Sequence, residues 1–287
     1  MAESKTVRKL KKELIKNLPF FPNDKDTLKE LEAQTISDVM IHYLHWQTRQ
    51  VPARERRVQI APELTSDERW KSLKVDINFL LDKVRNGEDL TPHLSKRAHK
   101  NGYTPTDRIR TGEVDSWEDK DQILNTKGFH HFHLDMNIQN SGLAKRTDDV
   151  LFAFVERDKF HAIAIFNHSV FEVADETGVM NKERVRMWDI HEKYTTIGME
   201  PGSVYINNMI MTSGHPMYLI RMSDHYVNII EDIDPKLEER TYVNSLYDQG
   251  NLPYPKQYKF EWVIDGLDLR LFDKKNDVTF NLKQGHL

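Results

Sequence analysis

Asp149-Val150-Leu151-Phe152-Ala153-Phe154-Val155-Glu156, then Arg157-Asp158-Lys159, then Phe160-His161-Ala162-Ile163-Ala164-Ile165-Phe166-Asn167-His168: this stretch decides the fold. Two runs rich in β-branched and aromatic residues flank a short polar turn, the pattern of an antiparallel hairpin. Upstream, the period is already two from Gly128, so Phe129 to Ile138 is predicted to be a third strand. The tail returns to the same pattern in Tyr258 to Ile264, Leu267 to Asp273 and Val278 to Leu282.

Around these strands the spacing is helical. Val7 to Leu18 reads as a short basic helix broken by Pro19 and Pro22. Asp26 to Gln50 reads as one helix, because Leu28, Leu31, Ile36, Val39, Met40, Tyr43 and Trp46 recur at threes and fours. Val58 and Ile60 alternate as an edge strand would. Ser66 or Asp67 opens a helix that runs to about Arg85 and stops at Gly87. Asp89 to Gly112 reads as loop. Helices are predicted again over Asn181 to Tyr194, Met217 to Ile233 and Leu237 to Leu246, with a strand over Ser203 to Met211. The fold class is therefore α+β: a helical, partly basic N-terminal region over residues 1–120, then an antiparallel-sheet core flanked by helices over residues 121–287.

Composition narrows the chemistry. A chain of 287 residues with 38% hydrophobic and 30% charged residues can build a sizeable core under a polar surface. It has no cysteine, which excludes disulfides, thiolate metal sites and cysteine nucleophiles. There is no apolar run of signal-peptide or membrane-spanning length, so the expectation is a cytoplasmic protein with no membrane partner. The net charge of -4 excludes a uniformly basic coat but not basic patches. Two such patches stand out as candidate phosphate contacts: Arg54, Arg56 and Arg57, and then Lys96, Arg97, Lys100, Arg108 and Arg110. An acidic block follows the second, with Glu113, Asp115, Glu118, Asp119 and Asp121. No phosphate-binding loop, dinucleotide fingerprint, nucleophile elbow or His-Glu-x-x-His motif occurs.

The candidate site is a concentration of histidine. Five of the 13 histidines (His130, His131, His133, His161 and His168) fall within 39 residues. Strand alternation puts His131 and His133 on one face with Phe129, and His130 on the other with Phe132. Pairing of the strands brings either His161 or His168 towards that pair. Three chemistries fit. His131, His133 and His168 can ligate a divalent metal. A histidine beside Arg146 can move protons in phosphodiester cleavage, with the guanidinium on the developing charge. The same histidines can also satisfy hydrogen bonds in a half-buried sheet. His191 and Tyr194, three apart on one helix face, are further candidates for the site. His42, His45, Trp46 and Arg49 form an aromatic-basic face suited to helix packing or to stacking bases. Asn207 and Asn208 interrupt an apolar stretch, and Thr212 to His215 reads as a binding loop or a helix cap.

Asp121-Gln122-Ile123-Leu124-Asn125-Thr126-Lys127-Gly128-Phe129-His130-His131-Phe132-His133-Leu134 resembles a motif of an uncharacterised bacterial family that reads approximately Asp-x-Leu-Leu-Asn-x-Trp-Gly-Ile-His-His-Leu-His-Leu. The resemblance continues through Arg146 to Val155 and the Phe160–His168 strand, about the middle third of the chain. Thr126-Lys127 stands where that motif has Asp-Trp. The order of strands, basic turn and histidines also resembles the small RelE/BrnT-type ribonuclease toxins. The resemblance implies a toxin or phage-defence role, with RNA and a phage or antitoxin protein as partners. The leading expectation is a metal-independent endoribonuclease: His131 or His133 as acid or base, His161 as its partner, and Arg146 on the scissile phosphate. A histidine-ligated metallohydrolase and a non-enzymatic binding protein are the alternatives.

Overall fold

A computed structural model describes residues 4–114, 120–206 and 208–287. Asp115, Glu118, Asp119 and Asn207, singled out above, lie outside the described residues. In chain order the elements are α1 (Lys5–Asn17), α2 (Lys25–Ala33), α3 (Ile36–Thr48), β1 (Arg57–Ile60), α4 (Pro62–Thr65), α5 (Trp70–Arg85), α6 (Lys96–Lys100), α7 (Thr106–Arg110) and α8 (Gln122–Lys127). They continue with β2 (Phe129–His133), β3 (Asp149–Val155), β4 (Lys159–Asn167), α9 (Lys182–Thr196), α10 (Met217–Ile233), α11 (Arg240–Gln249), β5 (Phe260–Asp265), β6 (Asp268–Asp273) and β7 (Val278–Lys283). The fold is α+β. Among the described residues no helix is long and apolar enough to cross a membrane.

The chain divides into two compact units that interleave along the sequence. One takes residues 1–48, 99–120 and 211–286; the other takes 49–98, 121–210 and Leu287. The first unit joins α1, α2, α3, α7, α10 and α11 to the antiparallel sheet β5-β6-β7. Its helix starts are set by short polar side chains. Ser4 accepts from the Val7 N–H at 3.1 Å, and Asp24 accepts from Asp26 and Thr27. The continuous helix expected over Asp26 to Gln50 is broken at Gln34-Thr35. Thr35 Oγ1 accepts from the Asp38 N–H at 3.2 Å while Asp38 reaches back to the Thr35 N–H at 3.4 Å. This is a reciprocal cap, so a new helix starts there although the apolar spacing runs through.

The second unit is built on a four-stranded sheet in the order β1-β4-β3-β2. The hairpin β3–β4 is antiparallel, as is β2 on β3. The edge strand β1 is parallel to β4, so this sheet is mixed. Asp121 caps α8 by accepting from the Leu124 N–H at 2.9 Å, and Gly128 closes it at φ 73°. A left-handed residue is needed there to turn the helix straight into β2, and glycine adopts it without penalty. One sheet face is covered by α9 and by the short turn His168–Phe171. The core beneath them contains Phe129, Val150, Phe152, Phe166, Val170 and Ile190.

Other boundaries moved. The strand expected over Phe129 to Ile138 stops at His133, after which the Leu134 N–H goes to Thr147 Oγ1 instead of a ladder. Asp89 to Gly112 holds short helices, α6 and α7, rather than loop alone. The described residues of Ser203 to Met211 belong to neither sheet, and Val204, Ile206 and Met209 are exposed. Strand propensity describes fit to a neighbour, and these residues join no sheet ladder.

Candidate functional site

The register of β2, β3 and β4 sorts the histidines. His131 lies opposite Phe152, which lies opposite Ala164; His133 lies opposite Val150, which lies opposite Phe166. Two residues beyond Phe166 on the same face comes His168. It has left the strand but still stacks on His133, with ring centroids 5.5 Å apart and planes 28° from parallel. A register shift at Phe152/Ala153 puts His161 opposite Phe154 and Phe129. His161 therefore lies at the other end of the face, on the order of 10 Å from His131 by strand spacing. Its neighbour is Tyr194, at 5.2 Å between ring centroids. The structure thus brings His168, not His161, to the His131–His133 pair.

The environments of these histidines differ. His133 is buried, and its Nδ1 has no hydrogen-bond partner among the described residues. Burial, reinforced by the nearby Arg146 and His131, pushes its pKa down to about 3, so it is neutral. His131 packs edge-on against Phe171 at 4.8 Å, with Nδ1 3.4 Å from Asp121. Burial lowers its basicity despite that carboxylate. His168 is half-exposed. Its Nδ1 donates to the Asp148 carbonyl at 2.7 Å, since a carbonyl only accepts. The lone pair is thereby left on Nε2.

Arg146 completes the group. Its Nη1 donates to the Leu94 carbonyl at 3.1 Å, and it has no ion-pair partner among the described residues. It lies near enough to lower the basicity of both His131 and His133. The preceding residue, His93, donates from Nδ1 to the His133 carbonyl at 2.8 Å. The segment His93–Leu94 is thus pinned to the site from two sides, and the exposed Lys96 and Arg97 begin the helix just after it. No three His, Asp or Glu side chains among the described residues are grouped to hold a metal ion. His133 and His168 meet face to face rather than with converging nitrogens.

The remaining candidates sit elsewhere. Tyr194 donates to Glu63 at 2.6 Å, and Lys193 pairs with the same carboxylate. Burial and that bond raise the Tyr194 hydroxyl well above its ordinary range. His191 is buried at 5.8 Å from the Phe129 ring, and burial and Lys127 push it down to about 4. Arg56 is buried and bonded to the carbonyls of Glu156, Pro52 and Arg54, so it braces the chain rather than facing a phosphate. Arg57 pairs with Lys159 at the hairpin end, eight residues of β4 or about 26 Å from the His168 end. Arg54 donates to the Leu287 carbonyl. Lys100, Arg108 and Arg110 belong to the first unit. There Arg108 pairs with Asp24 at 2.6 Å and Arg110 with Asp107 at 3.3 Å. His42, His45 and His215 cluster in that unit too, with the Nδ1 atoms of His45 and His215 2.7 Å apart.

Two participants escaped the sequence reading. Phe171 wedges between His131 and His168. Lys127 is buried with its Nζ 3.2 Å from the centre of the Trp188 ring. A signal existed for Lys127: it falls four residues after Ile123, on the core-facing side of a short helix. No protein-family model, curated protein or solved structure matches the chain.

Proposed function

We propose that the protein acts on RNA as a metal-independent endoribonuclease of toxin or phage-defence type, with His168 and Arg146 as its working pair. One observation carries this reading. A half-exposed imidazole, its tautomer fixed by the Asp148 carbonyl, is stacked on a buried neutral histidine beside an arginine that has no carboxylate partner among the described residues. His168 Nε2 takes the proton of a ribose 2′-OH as that oxygen attacks the adjacent phosphorus. The resulting imidazolium returns a proton to the departing 5′-oxygen, leaving a 2′,3′-cyclic phosphate. Arg146 donates its uncommitted N–H groups to the non-bridging oxygens, where negative charge develops. His133 acts by position. It is neutral and packed, so it supports the His168 ring without competing for its proton. Lys96 and Arg97 supply positive charge on the approach.

The test is cleavage of an end-labelled single-stranded RNA in the presence of chelator. The wild-type protein gives 2′,3′-cyclic phosphate ends, and His168→Ala removes the activity. Cleavage that survives in His168→Ala, or that chelator abolishes, overturns the assignment.

A further inference from the structure

Lys127 is a nearly buried lysine whose ammonium rests on an aromatic face. It is 5% exposed, and among the described residues it has no hydrogen bond and no carboxylate partner. Its Nζ lies over the Trp188 ring, 3.2 Å from the centre. Burial, with Arg184 nearby, lowers its basicity, and the Glu192 carboxylate acts against them. An ammonium held this way costs stability, and an apolar side chain of like volume would fit more cheaply. Beside it lies His191, buried, with no hydrogen bond on its ring nitrogens among the described residues. Two aromatic rings in the same place stay open: Trp188 is 44% exposed and Tyr205, 6.3 Å from His191, is 45% exposed. Unfilled donors next to exposed aromatic rings match the needs of a nucleotide, whose phosphate takes the donors and whose base takes a ring.

We infer that Lys127, His191, Trp188 and Tyr205 form a binding subsite for a nucleotide of a single-stranded RNA. Lys127 would donate to a backbone phosphate and the outer face of Trp188 would stack a base. The subsite rests on the RNA reading of the His168 site and extends it. Lys127 immediately precedes the Gly128 turn into β2, and His133 ends that strand. From Phe129 to His133 the strand rises four residue steps, about 13 Å, and the Gly128 turn stands between it and Lys127. About four nucleotides at the stacked rise of 3.4 Å span the strand itself. Duplex RNA buries its bases and has no free base face to offer Trp188, so the subsite selects single strands.

The experiment is fluorescence anisotropy with a short labelled 2′-O-methyl oligouridylate, which lacks the attacking hydroxyl and stays whole. Lys127→Met weakens binding about tenfold and flattens the salt dependence by about 0.7 in log–log slope. It also leaves the melting temperature equal or higher. Trp188→Ala weakens binding about tenfold without changing the slope, and Trp188→Phe restores it. Unchanged affinity in Lys127→Met, a lowered melting temperature in that variant, or equal competition by duplex RNA overturns the subsite. Because the probe cannot be cleaved, the outcomes separate. Binding that obeys these rules in a protein that cuts no RNA leaves the subsite standing and removes only the catalytic reading.

Discussion

The pair His45 and His215 in one compact unit and the pair His133 and His168 in the other are built in opposite ways. His45 and His215 are both buried, and their Nδ1 atoms are hydrogen-bonded at 2.7 Å. His42 packs edge-on at 4.9 Å from His215. His133 and His168 stack instead, with their ring centroids 5.5 Å apart, and the outer ring is half-exposed. Proximity of histidines is thus a poor sign of chemistry by itself. What distinguishes the second pair is that His168 bonds to the Asp148 carbonyl, and that the Arg146 near His133 has no ion-pair partner among the described residues.

Catalysis separates the two histidine pairs most directly. His168→Ala is expected to lower RNA cleavage by about 10²–10⁴-fold with the melting temperature nearly unchanged, because general acid–base catalysis has that worth. Single-turnover cleavage and a thermal melt on the same sample check both halves.

Acid comes next. His133 and His191 are held at about 3 and about 4 in the folded protein, below the value of about 6.5 that an unfolded histidine has. Between those values the unfolded chain binds more protons than the folded one, so stability rises with pH. The stability is complete above about 6.5 and is lost as pH falls towards 3. For His133 the full loss is on the order of 5 kcal/mol. Denaturant titrations from pH 7 to 4 should show the fall, and His133→Leu should flatten it. A profile that is level through this range, or the same in the variant, breaks the assignment of His133 as buried and neutral.

A smaller effect sharpens the contrast from the other side. His45→Ala removes one partner from the buried pair and is expected to cost about 2–3 kcal/mol of stability. RNA cleavage per folded molecule should stay at the wild-type rate. The smallest effect concerns His161. It sits with Tyr194 and away from Arg146, so His161→Ala should change cleavage less than about threefold. A loss as large as that of His168→Ala would return His161 to the reacting centre.

How far the sequence carried depends on the kind of signal. The hairpin β3–β4 was legible because its residues alternate or run apolar over strand length around a polar turn. The shared face of His131 and His133 followed from alternation alone. The split between α2 and α3 was written in Thr35 and Asp38, a capping pair overshadowed by the longer apolar spacing. The departure of Ser203 to Met211 from strand was not legible, because a strand is completed by its neighbour. Arg56 looked like a phosphate contact by composition, and only the carbonyls around it show a brace.

By itself, then, the sequence determined the α+β class, the hairpin, the face on which His131 and His133 lie and the nearness of Arg146 in the chain. All of these rest on local period and composition, which the backbone obeys residue by residue. Tertiary structure alone decided which third histidine joins the pair. The register shift at Phe152/Ala153 inserts one residue into β4, and one residue reverses the face of everything beyond it. That single irregularity brings His168 onto the face of His133, while the hairpin end had already set His161 beside Tyr194.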